Sequence, residues 1–252
     1  MKKNKELLCW GSLIFLIQLV MILLQANHRL HDPILDLVVQ GYGKLEDVFP
    51  FEPLSYLYGK GYDGSGFQGL EQHMWLMNIA LYCVMVIGKM TQYKEEYSYM
   101  IISRYKSFRE YYRMVYFCFL KYTFVYQISL FLGALAGAMI LQVTENTVSC
   151  QLFLVIMAQI SLLIGNLFWG IFVLYFILHK NQWKWSMLIY PCVPIISLFI
   201  GEDLPARISN LFPGSWMMLA RSNLMVAEGF SFWGVLLIEG FVFFIMSKLV
   251  LK

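Results

Sequence analysis

Few residues in this chain have the types and spacing that catalysis requires. The stretch GKGYDGSG at residues 59–66 lacks the lysine and hydroxyl residue that follow the second glycine of a phosphate-binding loop, GxxxxGK[ST]. The pair Glu95 and Glu96 lacks the arginine of an EExxxR protease motif, because position 100 is Met100. Ser65 lies in DGSG, where a GxSG motif needs glycine in place of Asp63. We therefore predict no catalytic residue in this chain.

Histidine and cysteine form no metal-binding pattern either. The histidines at positions 28, 31, 73 and 179 have no spacing such as HExxH. The five cysteines lie inside or at the edge of apolar runs, without a CxxC pair. We predict neither a metal site nor a disulfide framework, and we interpret the cysteines as small packing residues.

The clearest binding chemistry lies at residues 89–113, KMTQYKEEYSYMIISRYKSFREYYR, which we name the tyrosine-rich segment. It holds six Lys or Arg, three Glu and six Tyr, in a chain of which only 14% is charged. Its apolar residues recur in steps of three and four, which predicts an amphipathic helix with most basic residues off the apolar stripe. The stripe consists of Tyr93, Tyr97, Met100, Ile101, Tyr105, Phe108 and Tyr112.

Two interpretations of the tyrosine-rich segment stay open at this point. An interfacial helix that binds anionic lipid head groups would have this composition. A helix that docks a soluble cytoplasmic protein would also have it. The adjacent acids Glu95 and Glu96 favour docking, because an anchor for anionic lipid gains nothing from negative charge.

The elements that position this segment are membrane-spanning. Hydrophobic residues make up 59% of the chain, above the roughly 45–50% of soluble domains, and several apolar runs reach the roughly 20 residues of a membrane crossing. We predict an all-α integral membrane protein with a single transmembrane domain, residues 1–252. The first run is too long for a signal peptide and no cleavage site follows it, so we expect it to be retained. The six predicted spans are residues 7–25, 74–90, 114–141, 150–178, 185–200 and 232–251.

The placement of Lys and Arg predicts the orientation. With the N-terminus in the cytoplasm, 13 basic residues fall on the cytoplasmic side and five on the outer side, while most acids lie outside. Both termini and the tyrosine-rich segment are then cytoplasmic. Residues 26–73 and 202–231 become outer loops, and the second is apolar enough to dip into the outer leaflet. The fifth span is short and contains Pro191 and Pro194, which predicts a kink.

Polar residues within the spans are candidates for function or for helix packing. A carboxylate such as Glu239 at mid-membrane costs about 2.5–3.5 kcal/mol, so it should face protein or water. Glu239 either contacts a cargo or responds to protons, or it is neutralised by protonation or by a structural hydrogen bond. Gln159 and Asn166 can hydrogen-bond between helices. The small residues Gly133, Gly137, Gly165 and Gly170 predict packing seams.

The whole arrangement resembles the membrane subunit of a type-2 ABC exporter, and most closely the short permeases of bacteriocin and lantibiotic immunity or export. The stretch EEYSYMIISRYKSFREYYRMVYF resembles the coupling helix between spans two and three of that family, and FPGSWMMLARSN resembles its semi-apolar outer loop before span six. The resemblance implies ATPase docking through one set of residues and an outer loop marked by Pro213, Trp216 and Arg221. The docking set is Glu95, Glu96, Tyr99, Arg104, Tyr105, Lys106 and Arg109.

The resemblance also implies partners and a function. A separate cytoplasmic ABC ATPase dimer would bind ATP and Mg, a second permease would complete the translocation path, and Glu239, Asn166 and Gln159 would be candidates to line it. The cargo would be amphipathic or lipid-soluble, for example an antimicrobial peptide, moved across a bacterial cytoplasmic membrane. No nucleic-acid partner is expected. The alternative is a non-transporting membrane scaffold or sensor partner that recruits a cytoplasmic protein, or lipid, through the tyrosine-rich segment.

Overall fold

Five helices dominate a computed structural model of the chain. The structure describes residues 2–30, 57, 70–94, 107–144, 152–179, 185, 188, 190–193, 195–196, 208, 210–211, 213–225 and 227–251. Within this part the chain is helical, with turns and a single isolated bridge between Ser222 and Phe230 but no strand. The helices are α1 (Lys2–Leu30), α2 (Leu70–Tyr82), α3 (Phe108–Thr144), α4 (Leu152–His179) and α5 (Phe232–Val250).

The helices α1, α3, α4 and α5 each include a stretch long and apolar enough to cross a membrane, and α2 forms such a stretch together with the residues that follow it to Lys94, which are counted with α2 from here on. The stretches are Lys5–Leu24, Met74–Lys94, Phe108–Ile140, Leu152–His179 and Phe232–Val250. They coincide with five of the six predicted spans, which agrees with the prediction of an all-α membrane protein. Half of the remaining predicted span, residues 185–200, lies outside the described residues.

The helix α2 contains a change of geometry within its apolar run. After Tyr82 the backbone forms a π-helical turn, Cys83–Ile87, and then continues as α-helix through residues 88–94. Met85, Val86 and Ile87 in this turn are buried. A π-helical turn inside an α-helix is rare and is often found at a functional site.

Glycines let α1 and α3 approach closely. A Cβ atom placed on Gly133 would lie 2.6 Å from the backbone oxygen of Phe15, and one on Gly137 would lie 3.0 Å from Ile22. Neither contact leaves room for a side chain, so these residues confirm the predicted packing seam on α3. Since lipid is as apolar as the helices, such close backbone contact is a main source of helix association in a membrane.

The basic end of the bundle is where the starts of α1 and α3 meet the ends of α2, α4 and α5. An ion pair joins Lys89, after the π-helical turn, to Glu6 of α1. The His179 ring at the end of α4 contacts the carbonyl oxygen of Val250 on α5. The ends of α4 and α5 therefore lie side by side, and α5 packs along α4 in a parallel direction.

The predicted boundaries of α4 and α5 agree with the structure to within two residues, but those of the tyrosine-rich segment differ. Residues 88–94 continue α2, and α3 begins at Phe108 rather than near residue 114. Ser107 caps α3, because its hydroxyl accepts a hydrogen bond from the backbone N–H of Glu110. The two ends of the tyrosine-rich segment thus belong to membrane-length helices, and residues 95–106 lie outside the described part.

Candidate functional site

The basic end holds the two ends of the tyrosine-rich segment together. The hydroxyl of Tyr111 on α3 donates a hydrogen bond to the backbone oxygen of Tyr93, at 3.2 Å. Next to it, the Lys94 ammonium donates to the backbone oxygen of Leu178 on α4, at 3.3 Å. Tyr93 and Tyr111 are both buried. The described residues on the two sides of 95–106 therefore meet at one point, where α2, α3 and α4 lie together.

The predicted docking residues divide into two groups. Arg109 lies exposed in the first turn of α3. The other six lie outside the described residues: Glu95, Glu96, Tyr99, Arg104, Tyr105 and Lys106. Tyr112 packs against His179 with ring centroids 4.9 Å apart, and His179 packs in turn against Tyr175. Aromatic rings thus join the start of α3 to the end of α4 beside this segment.

A polar cluster lies buried between α2, α3, α4 and residue 190, and Asn166 is its centre. The Tyr190 hydroxyl donates to the Asn166 side-chain oxygen at 2.5 Å, and the Asn166 amide nitrogen donates to Gln127 at 3.5 Å. The Tyr82 hydroxyl donates to the Asn166 backbone oxygen at 3.1 Å. We define the polar cluster as Tyr82, Thr123, Gln127, Gln159, Asn166 and Tyr190.

The remaining contacts extend the polar cluster along the bundle. Tyr82 and Thr123 hydrogen-bond through their hydroxyls at 3.0 Å. The Gln127 amide nitrogen donates to the side-chain oxygen of Gln159 at 2.5 Å. The Tyr82 and Tyr190 rings stack with centroids 5.0 Å apart. Gln159 and Asn166, both predicted to be functional, are therefore brought together, while Tyr82 and Tyr190 belong to the cluster without having been predicted.

Glycines of α4 also bear on this region. A Cβ on Gly170 would lie 2.7 Å from the Phe119 ring and 2.9 Å from the Tyr82 hydroxyl. One on Gly165 would lie 2.6 Å from the Met217 side chain. In the predicted packing seam on α4, Gly170 therefore packs closely against α3 and the Tyr82 hydroxyl, and Gly165 packs closely against Met217.

The described residues of 213–231, which we name the cap segment, pack on α4. Two 3-10 turns, Pro213–Met217 and Leu219–Arg221, form its first half. Ser161 of α4 donates a hydrogen bond to the Trp216 backbone oxygen at 2.9 Å, and the Trp216 and Phe168 rings lie 6.5 Å apart. Since α4 spans residues 152–179, the cap segment reaches the middle of α4.

Arg221 holds the cap segment from inside. Its side chain is fully buried and donates to the Ser215 hydroxyl at 2.9 Å. The backbone around it closes a loop, because the Phe230 N–H donates to the Arg221 oxygen and the Asn223 N–H donates to the Phe230 oxygen. Of the predicted outer-loop residues, Arg221 is thus a buried structural group and Trp216 is half-buried, while Pro213 begins the first turn.

Glu239 lies apart from the polar cluster, on α5. Its side chain is fully buried, and neither carboxyl oxygen has a hydrogen-bond partner among the described residues. It occupies the middle of the buried stripe of α5, between Val235 and Ser247. Glu239 thus lies on a different helix from Gln159 and Asn166, the other two predicted path residues. Both of its carboxyl oxygens are unpaired among the described residues.

Comparison with known proteins does not assign this geometry to a family. No protein-family model, no curated protein and no solved structure matches the chain. The basic end, the polar cluster, the cap segment and Glu239 are the features from which a function can be inferred.

Proposed function

We propose that this chain is the membrane subunit of an ATP-driven exporter of the type-2 ABC class. In this proposal residues 95–106 dock a separate cytoplasmic ATPase dimer that holds ATP and Mg. The ATPase would close on ATP and push on the basic end of a permease dimer. The cargo would be amphipathic or lipid-soluble, for example an antimicrobial peptide. The observation that carries the proposal is the junction of Tyr93, Tyr111 and Leu178 at the two ends of the docking residues.

This junction supports force transmission. A push on residues 95–106 acts on Tyr93 and Lys94 at one end and on α3 at the other. Since Tyr111 bonds Tyr93 and Lys94 bonds Leu178, the push reaches α2, α3 and α4 together. A lipid anchor has no need of such a junction, because it only has to rest on the surface of the membrane.

The direction of the helices supports a total of six membrane spans. The helix α4 ends at the basic end, whereas α5 begins at the opposite end and runs parallel to α4. Between residue 179 and residue 232 the chain therefore passes from the basic end to the opposite end. Tyr190, which bonds Asn166 in the middle of α4, lies on this route. We place the fifth crossing at residues 185–200 and both termini in the cytoplasm.

The π-helical turn and the polar cluster complete the mechanism that we propose. Cys83–Ile87 lies between the docking residues and Tyr82, so movement of residues 88–94 reaches the polar cluster through this turn. A change of helical geometry there would move Tyr82 relative to Asn166. The candidates Asn166 and Gln159 would then respond to the ATPase, and the second permease would face the side of the bundle that opens.

The test is ATP hydrolysis by the complex in lipid bilayers. The chain is co-purified with an ATP-binding protein that carries Walker motifs, and the proposal requires that a neighbouring reading frame encodes one. We expect the chain to stimulate the ATPase, and the double variant R104E/R109E to reduce the rate to that of the ATPase alone. The variant must insert into the membrane in the same amount as the natural chain.

A matched control changes the same charge elsewhere on the basic end. Lys5 and Lys248 are exposed on α1 and α5, outside the junction. The double variant K5E/K248E should keep its stimulation. Full stimulation in R104E/R109E would contradict docking, and so would equal loss in both double variants, because only the total charge would then matter. A scaffold or lipid anchor would give no stimulation with the natural chain.

A further inference from the structure

The carboxyl group of Glu239 is buried without a counter-charge. Its side chain has no exposed surface, and both oxygens lack a hydrogen-bond partner in the part of the chain that the structure describes. An ionised carboxylate in apolar surroundings is very costly unless it is paired, and such a group takes up a proton instead. Glu239 also interrupts an otherwise apolar run, VLLIEGFVFFIM, so packing alone does not explain a carboxyl group at this position.

The charged and titratable groups around α5 do not supply a partner. The helix α4, its main neighbour, contains no Asp, Glu, Lys or Arg. The ends of α4 and α5 meet at His179 and Val250, and Val250 is 11 residues from Glu239, or roughly 16 Å along the axis. On α4 and α5 these groups are Tyr175, His179 and Lys248, the cap segment carries Arg221 and Glu228, and α3, which contacts α5 at Tyr116, carries Arg109, Glu110, Arg113 and Lys121 as its charged residues.

No hydrogen bond joins any cation of this set to Glu239. Arg221 donates to Ser215 within the cap segment. Lys248 lies 4.2 Å from the centroid of the Phe244 ring, on an exposed part of α5. Tyr116 meets α5 at the Ser247 hydroxyl, near the basic end. None of these contacts brings a positive charge to Glu239.

An unpaired donor lies at the level of Glu239 on the neighbouring helix. Because α4 and α5 are parallel and His179 meets Val250, the level of Glu239 corresponds to about residue 168 of α4. The indole nitrogen of Trp169 is buried there and lacks a hydrogen-bond partner among the described residues. Both α4 and α5 thus present an unsatisfied polar group at the same depth, which is unusual for buried side chains.

We propose that Glu239 is a proton-binding site of the membrane domain. The carboxyl group holds its proton while α4 and α5 are packed as they are here, and it releases the proton to water when α5 moves away from α4. Among the five membrane-length helices, α5 has the smallest buried share, and Gly240, the next residue, has no atom near the position of a Cβ. This inference does not depend on the transport function proposed above.

The protonation state can be measured by infrared spectroscopy of the whole chain in lipid bilayers. At neutral pH exposed acids are ionised, so a protonated carboxyl C=O band, on the high-frequency side of the amide band, reports a buried neutral acid. We expect this band in the natural chain and its loss in Glu239→Gln. A difference spectrum that contains only carboxylate bands would overturn the proposal. The Gln side chain has the shape of the neutral acid, so the variant should fold.

A second measurement needs no variant. Labelling all glutamates with ¹³C at the carboxyl carbon should shift the protonated band of the natural chain to lower frequency. Absence of any protonated glutamate band at neutral pH would also overturn the proposal.

The link to helix movement is tested by hydrogen exchange in α5 as the pH is raised. After correction for the intrinsic rate, protection of residues 232–250 should fall in the natural chain as the carboxyl band disappears, and it should persist in Glu239→Gln. Unchanged protection in the natural chain after ionisation would overturn the coupling between the proton and the packing of α5.

Discussion

The α1–α4 part of the molecule and helix α5 at its edge differ in how their buried polar side chains are paired. In the first, polar side chains bond to one another around Asn166, and α1 and α3 touch through glycine. At the edge, neither carboxyl oxygen of Glu239 has a hydrogen-bond partner among the described residues, and a Cβ on Gly240 would have no atom within 4 Å. The α1–α4 part also holds unpaired buried nitrogens, on Trp75, Asn78, Gln159 and Trp169, but its polar cluster joins three helices. We call α1–α4 the frame and α5 the edge, and we predict that the edge changes its packing at the smaller energetic cost.

The largest effect is expected when Asn166 is replaced by leucine. The variant would leave the Tyr190 hydroxyl without its acceptor and Gln127 without its donor. Since each buried polar group left unpaired costs about 1–3 kcal/mol, the free energy of unfolding should fall by about 2–6 kcal/mol. Reversible unfolding in mixed detergent micelles would measure it. A smaller loss of unfolding free energy than that of Glu239→Gln would contradict the expected difference between the frame and the edge.

Alanine at two glycines compares the two regions directly. In Gly133→Ala the new methyl group would clash with the backbone of Phe15, and overpacking of this kind costs about 1–3 kcal/mol. Gly240→Ala is the matched control on α5, where the methyl group meets open space. We expect a lower unfolding free energy for Gly133→Ala only. Equal losses in the two variants would mean that α5 is packed as tightly as α3.

A double-mutant cycle isolates one bond of the polar cluster. Asn166→Leu and Tyr190→Phe each remove one partner of the 2.5 Å contact, and their double variant removes both. Interhelical hydrogen bonds in membrane proteins contribute about 0.6 kcal/mol on average and up to about 1.7 kcal/mol. The coupling energy should fall in that range, measured in the same micelles. A value of zero would show that residue 190 is not held against α4.

The smallest effect is expected for Glu239→Gln. Since the amide replaces a neutral carboxyl of the same shape, we expect the free energy of unfolding at neutral pH to change by less than about 1.5 kcal/mol, the upper end of the net contribution of one hydrogen bond. Thermal unfolding in detergent compared with Asn166→Leu would measure it. A loss as large as that of Asn166→Leu would mean that the carboxyl has a strong partner.

Much of the helical framework follows from sequence alone, because a membrane crossing needs a long apolar run and little else. The predicted bounds of α4 and α5 agree closely with the structure. The sequence predicts an amphipathic helix up to residue 113 and a span from residue 114, whereas α3 runs without a break from Phe108, because charged residues at its first turns hide its continuity with the apolar run. A local signal was present: Ser107 followed three residues later by Glu110 is the pattern of a capping box.

The candidate site could be predicted only in part. Asn166, Gln159 and Glu239 stand out because polar residues are rare within apolar spans. Tyr82 and Tyr190 do not stand out, because tyrosine is common in this chain and their contacts join positions distant in sequence. The burial of Arg221 depends on the turns of the cap segment, which hydropathy cannot describe. The docking role of residues 95–106 stays a prediction.

The most direct test of the central proposal is a photo-crosslinking amino acid at position 105, within the proposed docking residues. In native membranes we predict that it crosslinks an ATP-binding protein, identified by its mass and by nucleotide-dependent labelling. The same amino acid at position 237, exposed on α5, should not do so. Crosslinks to lipid alone at position 105, with that ATPase present in the membrane, would contradict the account.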